Sequence, residues 1–342
     1  MRKITSTLLC LVLCACLFFA QSIFVFAAEK SDEQSSHIHL YKNGECIICG
    51  KDQPFYTLTF PNEIYGECPE AGKIHIDSIA SSFEEGGITI DVYTPYGYDE
   101  NNHYDTIILF HGSTGNRTNW MTDSFRNDPF YINGKQVFDW LIYNKECLPF
   151  IAVSVDLPNE FIYTQSAYDR MTDILELEIM PYVIKHYATY AEDIGDVRKS
   201  MESVRNHFGI CGFSMGSRYA MNIGLEKMPE CFNVVIPMSG VCFSYKQLES
   251  LLMSEDSYAH KLYLVTGGPK DCNYQNEYNR HLALNNLAYN HTYIQTRAGH
   301  SWVSCFLAFY RIMTDAFPRF PIQISAKDFV DPIIFEHNEK CG

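Results

Sequence analysis

The segment whose residue types and spacing best fit nucleophilic chemistry is Gly212-Phe213-Ser214-Met215-Gly216, a serine framed by two glycines. It follows the apolar run Phe208–Cys211 and opens a helical stretch that reaches Lys227. A serine between strand and helix sits on a sharp turn, and flanking glycines give its backbone room. The turn lifts the hydroxyl above a sheet. It also aims the first helix amides, beginning with Met215, at any negative charge that forms nearby. An ordinary glycine-rich turn is the bland alternative, and the strand–helix setting counts against it.

A serine hydroxyl is a weak nucleophile until a base takes its proton. Of 12 histidines, five follow Ser214: His260, His281, His291, His300 and His337. On a turn of this kind the order along the chain is serine, acid, histidine. His300, in the run Arg297 to Trp302, directly follows the apolar stretch Tyr293–Thr296 and precedes a helical one. Loops at strand carboxyl ends are where such sheets build their sites. His281 falls within a helix, His291 before a strand and His260 at a polar helix end. The acid that would hold His300 is Asp271, just after the apolar run Leu262–Thr266. Asp156, at the end of an earlier strand, and Glu277 are the alternatives. Acyl transfer also needs amides for an oxyanion, worth about 3 kcal/mol per donor. The stretch Ile108–Asn116, a strand ending in His-Gly, offers the amide of Ser113 to act with that of Met215. His111 itself reads as structural.

These residues must be positioned by a sheet. Strand candidates are 73–80, 88–93, 106–110, 150–155, 208–212, 233–238, 262–266 and 292–296. The first two alternate, as an antiparallel edge does, and several later ones are continuously apolar, as strands buried on both faces are. Helical stretches at 168–190, 215–227, 276–289 and 301–317 separate them. Alternation of this kind implies parallel βαβ units: an α/β fold, with a mostly parallel central sheet and helices on both faces. The chain has 342 residues, enough for one large core. Its formal charge of −15 argues against nucleic acid, which is bound by neutralising phosphates. Cys211, inside an apolar run, reads as a buried small residue.

Arg2 and Lys3, the apolar run Leu8–Ala20 and a second run ending in Ala27-Ala28 read as a signal peptide over residues 1–28, cleaved near Ala27. An uncleaved anchor is the alternative. Cleavage would give a secreted chain without a membrane segment. Residues 29–55 form a short segment with His37, His39, Cys46 and Cys49, which either holds a structural zinc or is a linker with a local disulfide. Residues 56–317 are the expected catalytic domain, and 318–342, with Pro318 and Pro321, a tail.

Several stretches together resemble the esterase D and feruloyl esterase group, carbohydrate esterase family one of the α/β-hydrolases, over roughly residues 72–317. They are DVYTPYGYDE, LFHGSTGNRTNW, PYVIKHYATYA, GFSMGSRYAMNIGLEKMPE and GHSW. The resemblance implies an α/β-hydrolase fold, a Ser214–His300–Asp271 triad, an oxyanion hole at Ser113 and Met215, and ester hydrolysis with no required cofactor. It points to feruloyl or acetyl esters of plant-wall polysaccharide, or related small esters, as substrate. Trp302 and Trp120 become candidates for substrate contact, with packing under the loop the slightly favoured role of Trp302. Ser217 and Ser113–Thr114 stand where the group commonly has glycine, which implies a differently shaped oxyanion loop. Acyl transfer to an alcohol, and an inactive hydrolase-fold binding protein, are the competing functions.

Overall fold

The computed structural model describes residues 60–122, 132–157, 164–240, 242–255 and 257–317, with the backbone of 41–42 and 45–46. The chain divides into two compact units, 1–53 and 54–342. In the first, Tyr41–Lys42 pairs antiparallel with Glu45–Cys46. His37, His39 and Cys49, the expected signal peptide and the tail lie outside the described residues.

Among the described residues, the second unit is built on eight strands: β1 (Lys73–Ile79), β2 (Ile88–Thr94), β3 (Asp105–Phe110), β4 (Phe150–Val155), β5 (Phe208–Phe213), β6 (Val234–Met238), β7 (Lys261–Thr266) and β8 (Thr292–Gln295). Their order across the sheet is β8-β7-β6-β5-β3-β4-β2-β1. β2 runs antiparallel to both of its neighbours. All the remaining pairs are parallel. The reason lies in residue pattern. β3, β4 and β5 are buried at every position, so both of their faces need cover. β1 alternates and leaves Ile76 68% exposed, which suits an edge. Successive side chains point to opposite faces. Thus Ile108, Phe110, Ile151 and Val153 join the core on one side. Ile107, Leu109, Phe150 and Ala152 join the core on the other.

Helices α1 (Gly134–Tyr143), α2 (Gln165–Ile174), α3 (Met180–His186), α4 (Val197–Ser203), α5 (Met215–Asn222), α6 (Tyr245–Met253), α7 (Tyr274–Asn286) and α8 (Trp302–Ala316) supply that cover. α5 packs Tyr219 and Ala220 on the first side, and α1 and α8 pack Phe138, Phe306 and Phe309 on the second. The helix expected over 168–190 is divided: a π turn at Leu175–Ile179 separates α2 from α3. Pro181 has no amide for the carbonyl four residues back, and its ring crowds that carbonyl, so the turn widens. α1, α4 and α6 were not anticipated. Their starts are marked by side-chain caps: Asn133 with Gln136, Asp196, and Ser244 with Gln247. No helix among the described residues is long and apolar enough to cross a membrane.

Candidate active site

Ser214 stands between β5 and α5 at φ 54° and ψ −108°, a conformation that non-glycine residues rarely adopt. Its surroundings impose the turn. The Ser214 amide donates to the Met238 carbonyl at 2.8 Å. A Cβ on Gly212 would fall 2.1 Å from the Gly216 carbonyl oxygen, and one on Gly216 would fall 2.4 and 2.6 Å from the carbonyls of Phe110 and His111. Both glycines are therefore required by close approach. Strain of about 1–3 kcal/mol at such a residue persists only where its neighbours over-determine it. The turn leaves the Ser214 side chain partly exposed.

His300 follows β8 on the loop before α8. Its Nε2 lies 3.0 Å from Ser214 Oγ, and its Nδ1 lies 2.9 Å from Asp271 Oδ1. A carboxylate only accepts hydrogen bonds, so Nδ1 carries the proton and Nε2 offers its lone pair to the serine hydroxyl. Asp271 also accepts from the amides of Asn273 (2.9 Å, Oδ1) and Gly267 (2.8 Å, Oδ2). Burial works against its ionisation, but hydrogen bonding, led by the bond from His300, outweighs it and holds the carboxyl at about 2. The group is thus a fixed negative charge behind the imidazole. The Phe213 ring, 4.8 Å from that of His300, lies against its face.

The structure also brings the other expected loops to this point. A Cβ on Gly112 would lie 3.5 Å from Ser214 Cβ, so the turn holding Ser113 abuts the serine. Gly115 N–H closes that turn on the Gly112 carbonyl at 3.1 Å, and Thr114 takes φ 62°. Arg117 clamps the loop's far end: its Nε meets Asp91 at 2.8 Å and its Nη1 meets Asp156 at 3.1 Å. Met215 opens α5, so its amide is one of the first four that have no carbonyl partner within the helix.

Four expectations are sorted by these contacts. Asp156 is spent on Arg117, and Glu277, fully buried, accepts the Gly240 amide at 3.0 Å; Asp271 is the carboxylate bonded to His300. His111 is buried, accepts the Leu157 amide on Nε2 at 2.8 Å and so donates from Nδ1 to the Gly112 carbonyl at 2.7 Å. Burial pushes its pKa down, and it stays a neutral brace between two loops. Trp120 must be corrected. It is 0% exposed, its indole N–H donates to the Phe110 carbonyl at 2.8 Å, and its ring meets Trp302, Phe306 and Phe309. A side chain sealed in the core cannot touch substrate. Trp302 is half-buried, with its ring 4.9 Å from that of Phe213 and 5.1 Å from that of Trp120, so part of it packs on the core and part stays exposed.

Among the described residues one set of potential metal ligands gathers, Asp271, Cys272 and His300, with ligand atoms within 4.8 Å of one another. Two of the three already bond each other, so a metal there would compete with the proton path. Sequence reasoning missed Gly240, Asn273 and Arg117. The only signal for any of them was the position of Asn273, two residues past an acid.

The strand order, the turn at Ser214 and the histidine and acid loops above the sheet define an α/β-hydrolase. The sequence matches the Esterase family over residues 81–303, and the chain belongs to that family of serine ester hydrolases. It is 29% identical over 183 residues to Endo-1,4-beta-xylanase Y of Acetivibrio thermocellus, a match spanning 53% of this chain and 15% of that protein. Among solved structures it is similar to the feruloyl esterase module from Clostridium thermocellum complexed with sinapinate. That likeness has a TM-score of 0.64 and 20% identity, over 85% of this chain and 99% of that one. A CE1 ferulic acid esterase from Anaeromyces mucronatus in complex with ferulic acid matches with a TM-score of 0.60 and 18% identity, over 76% and 96%. At these identities the structural likeness is one of fold.

Proposed function

We propose that the protein is a secreted serine carboxylic-ester hydrolase that removes feruloyl or acetyl groups from plant-wall polysaccharide or related small esters. The observation that carries the chemistry is the unbroken chain from Ser214 Oγ through His300 to Asp271, with links of 3.0 and 2.9 Å. In the first half-reaction Ser214 Oγ bonds to the ester carbonyl carbon while its proton passes to His300 Nε2. The amides of Met215 and Ser113 stabilise the oxyanion. The tetrahedral adduct then releases the alcohol, which leaves with the proton from His300. Water attacks the acyl enzyme with His300 again as base, and the free acid and the Ser214 hydroxyl are restored. Asp271 stays ionised throughout and stabilises the imidazolium.

The choice of acyl group draws on the proteins of similar fold named for ferulic acid and sinapinate, and the polysaccharide side on the xylanase relative. Secretion draws on the basic start and apolar runs of residues 1–28. The test is turnover of methyl ferulate, acetylated xylan and short chromogenic esters by the mature protein and by Ser214→Ala. Wild-type turnover of at least one phenolic or acetyl ester is expected, and the variant should lose about 10⁶ in kcat. Near-normal rates in Ser214→Ala refute the nucleophile. A protein that is silent on all three substrates refutes the function.

A further inference from the structure

The segment Met238–Gly240, which leaves β6, is gripped from two sides. Toward the nucleophile turn, Met238 O accepts the Ser214 amide at 2.8 Å and Gly240 O accepts the Ser217 hydroxyl at 2.6 Å. Toward the acid loop, Ser239 O accepts Asn273 Nδ2 at 2.7 Å and the Gly240 amide donates to Glu277 Oε1 at 3.0 Å. Asn273 in turn gives its own amide to Asp271. The segment is thus a backbone strap joining the loop that carries the serine to the loop that carries the acid. Its seating is tight: a Cβ on Gly240 would fall 2.2 Å from the Ser214 carbonyl oxygen, and Ser239 takes φ 55°.

Glu277 is 0% exposed, an expensive place for a carboxyl group. Its Oε2 has no hydrogen-bond partner among the described residues, nor has the Nε of the neighbouring Arg280. The hydrogen bond its carboxyl makes among those residues is the one to Gly240. On the reading of Ser214 as nucleophile, we infer that Glu277 is a positioning residue, whose grip on the Gly240 amide holds the strap under Ser214 and keeps the hydroxyl in reach of His300. It contacts neither Ser214 nor His300 by hydrogen bond and acts through backbone alone. Burial pushes its carboxyl up to about 8, against the pull of the neighbouring Arg280 guanidinium and the Gly240 amide. Glutamine supplies the same acceptor at nearly the same size.

The test compares Glu277→Gln, Glu277→Leu and Glu277→Asp with wild type. It reads kcat and KM on a short chromogenic ester and the rate of phosphonylation by a fluorophosphonate probe, with circular dichroism to establish folding. Glu277→Gln is expected to keep kcat within about threefold, because the acceptor remains. Glu277→Leu should lower kcat by roughly 10- to 100-fold with KM nearly unchanged, since misplacing a reacting group costs rate rather than binding. Phosphonylation should slow by the same factor. Glu277→Asp, one methylene shorter, should fall between the two, and it carries the test should the leucine variant not fold. A folded leucine or aspartate variant with near-normal kcat overturns the inference. So does a glutamine variant as slow as the leucine one, which would assign the effect to charge. Wild-type protein that neither turns over ester nor takes the probe sinks the nucleophile reading, and Glu277 with it.

Discussion

Asparagine at position 271 keeps the size of the side chain and changes only what it can donate and accept. Both carboxylate oxygens are taken: Oδ1 accepts from His300 Nδ1 and the Asn273 amide, each at 2.9 Å, and Oδ2 accepts the Gly267 amide at 2.8 Å. Asparagine has one acceptor oxygen and one NH₂ group. With the NH₂ toward His300, the imidazole must turn a lone pair to it and carry its proton on Nε2, where it can no longer receive one from Ser214. With the NH₂ toward Gly267, two N–H groups face each other in a buried site, a conflict worth about 1–3 kcal/mol. In both cases the charge beside the imidazolium is gone. For charge centres about 4 Å apart at an effective dielectric near 20, that interaction is about 4 kcal/mol. It corresponds to a factor of about 10³ in rate. Initial rates on a short chromogenic ester at pH 7, with melting curves to establish folding, should show Asp271→Asn at least about 10³-fold slower in kcat. A folded variant within tenfold of wild type would refute the claim that Asp271 holds and stabilises His300.

Two further outcomes follow from burial and charge. Trp120→Ala should lose about 3–5 kcal/mol of stability in denaturant, because the ring is wholly enclosed, while KM for esters stays near wild type; a large KM change at unaltered stability would return Trp120 to the substrate. Asp271 has its carboxyl lowered from 3.8 to about 2, so it contributes about 2 kcal/mol that is present in full above pH 4 and lost as pH falls through 2. The acid side of the stability curve should therefore be shallower in Asp271→Asn between those limits, and equal slopes would count against the ionised, hydrogen-bonded acid.

Much of the fold was legible because burial on both faces writes itself as continuous apolar runs. Phe150–Val155 and Phe208–Cys211 could be read as central strands on that ground alone. The serine turn was legible because glycine is the residue that two close backbone approaches demand, at Gly212 and Gly216. Other features leave weaker marks. The starts of α1 and α6 are marked by reciprocal caps, Asn133 with Gln136 and Ser244 with Gln247, which lie outside the apolar runs. Trp120 follows the His-Gly loop, where an aromatic suits either a cleft or a core. Only the three-dimensional course of residues 116–121 turns it inward, beneath the Phe110 carbonyl. The partner of Glu277 is a main-chain amide 37 residues away, and a backbone group has no letter in the sequence.

The meeting of Gly216 with the carbonyls of Phe110 and His111 has a wider consequence. The floor beneath the scissile bond is cut from one piece, since shifting either loop by even a methyl group drags the other with it. Changes in what the enzyme accepts must accordingly be written in side chains that never touch that junction. A designer seeking a new acyl preference would leave the junction alone and alter the walls.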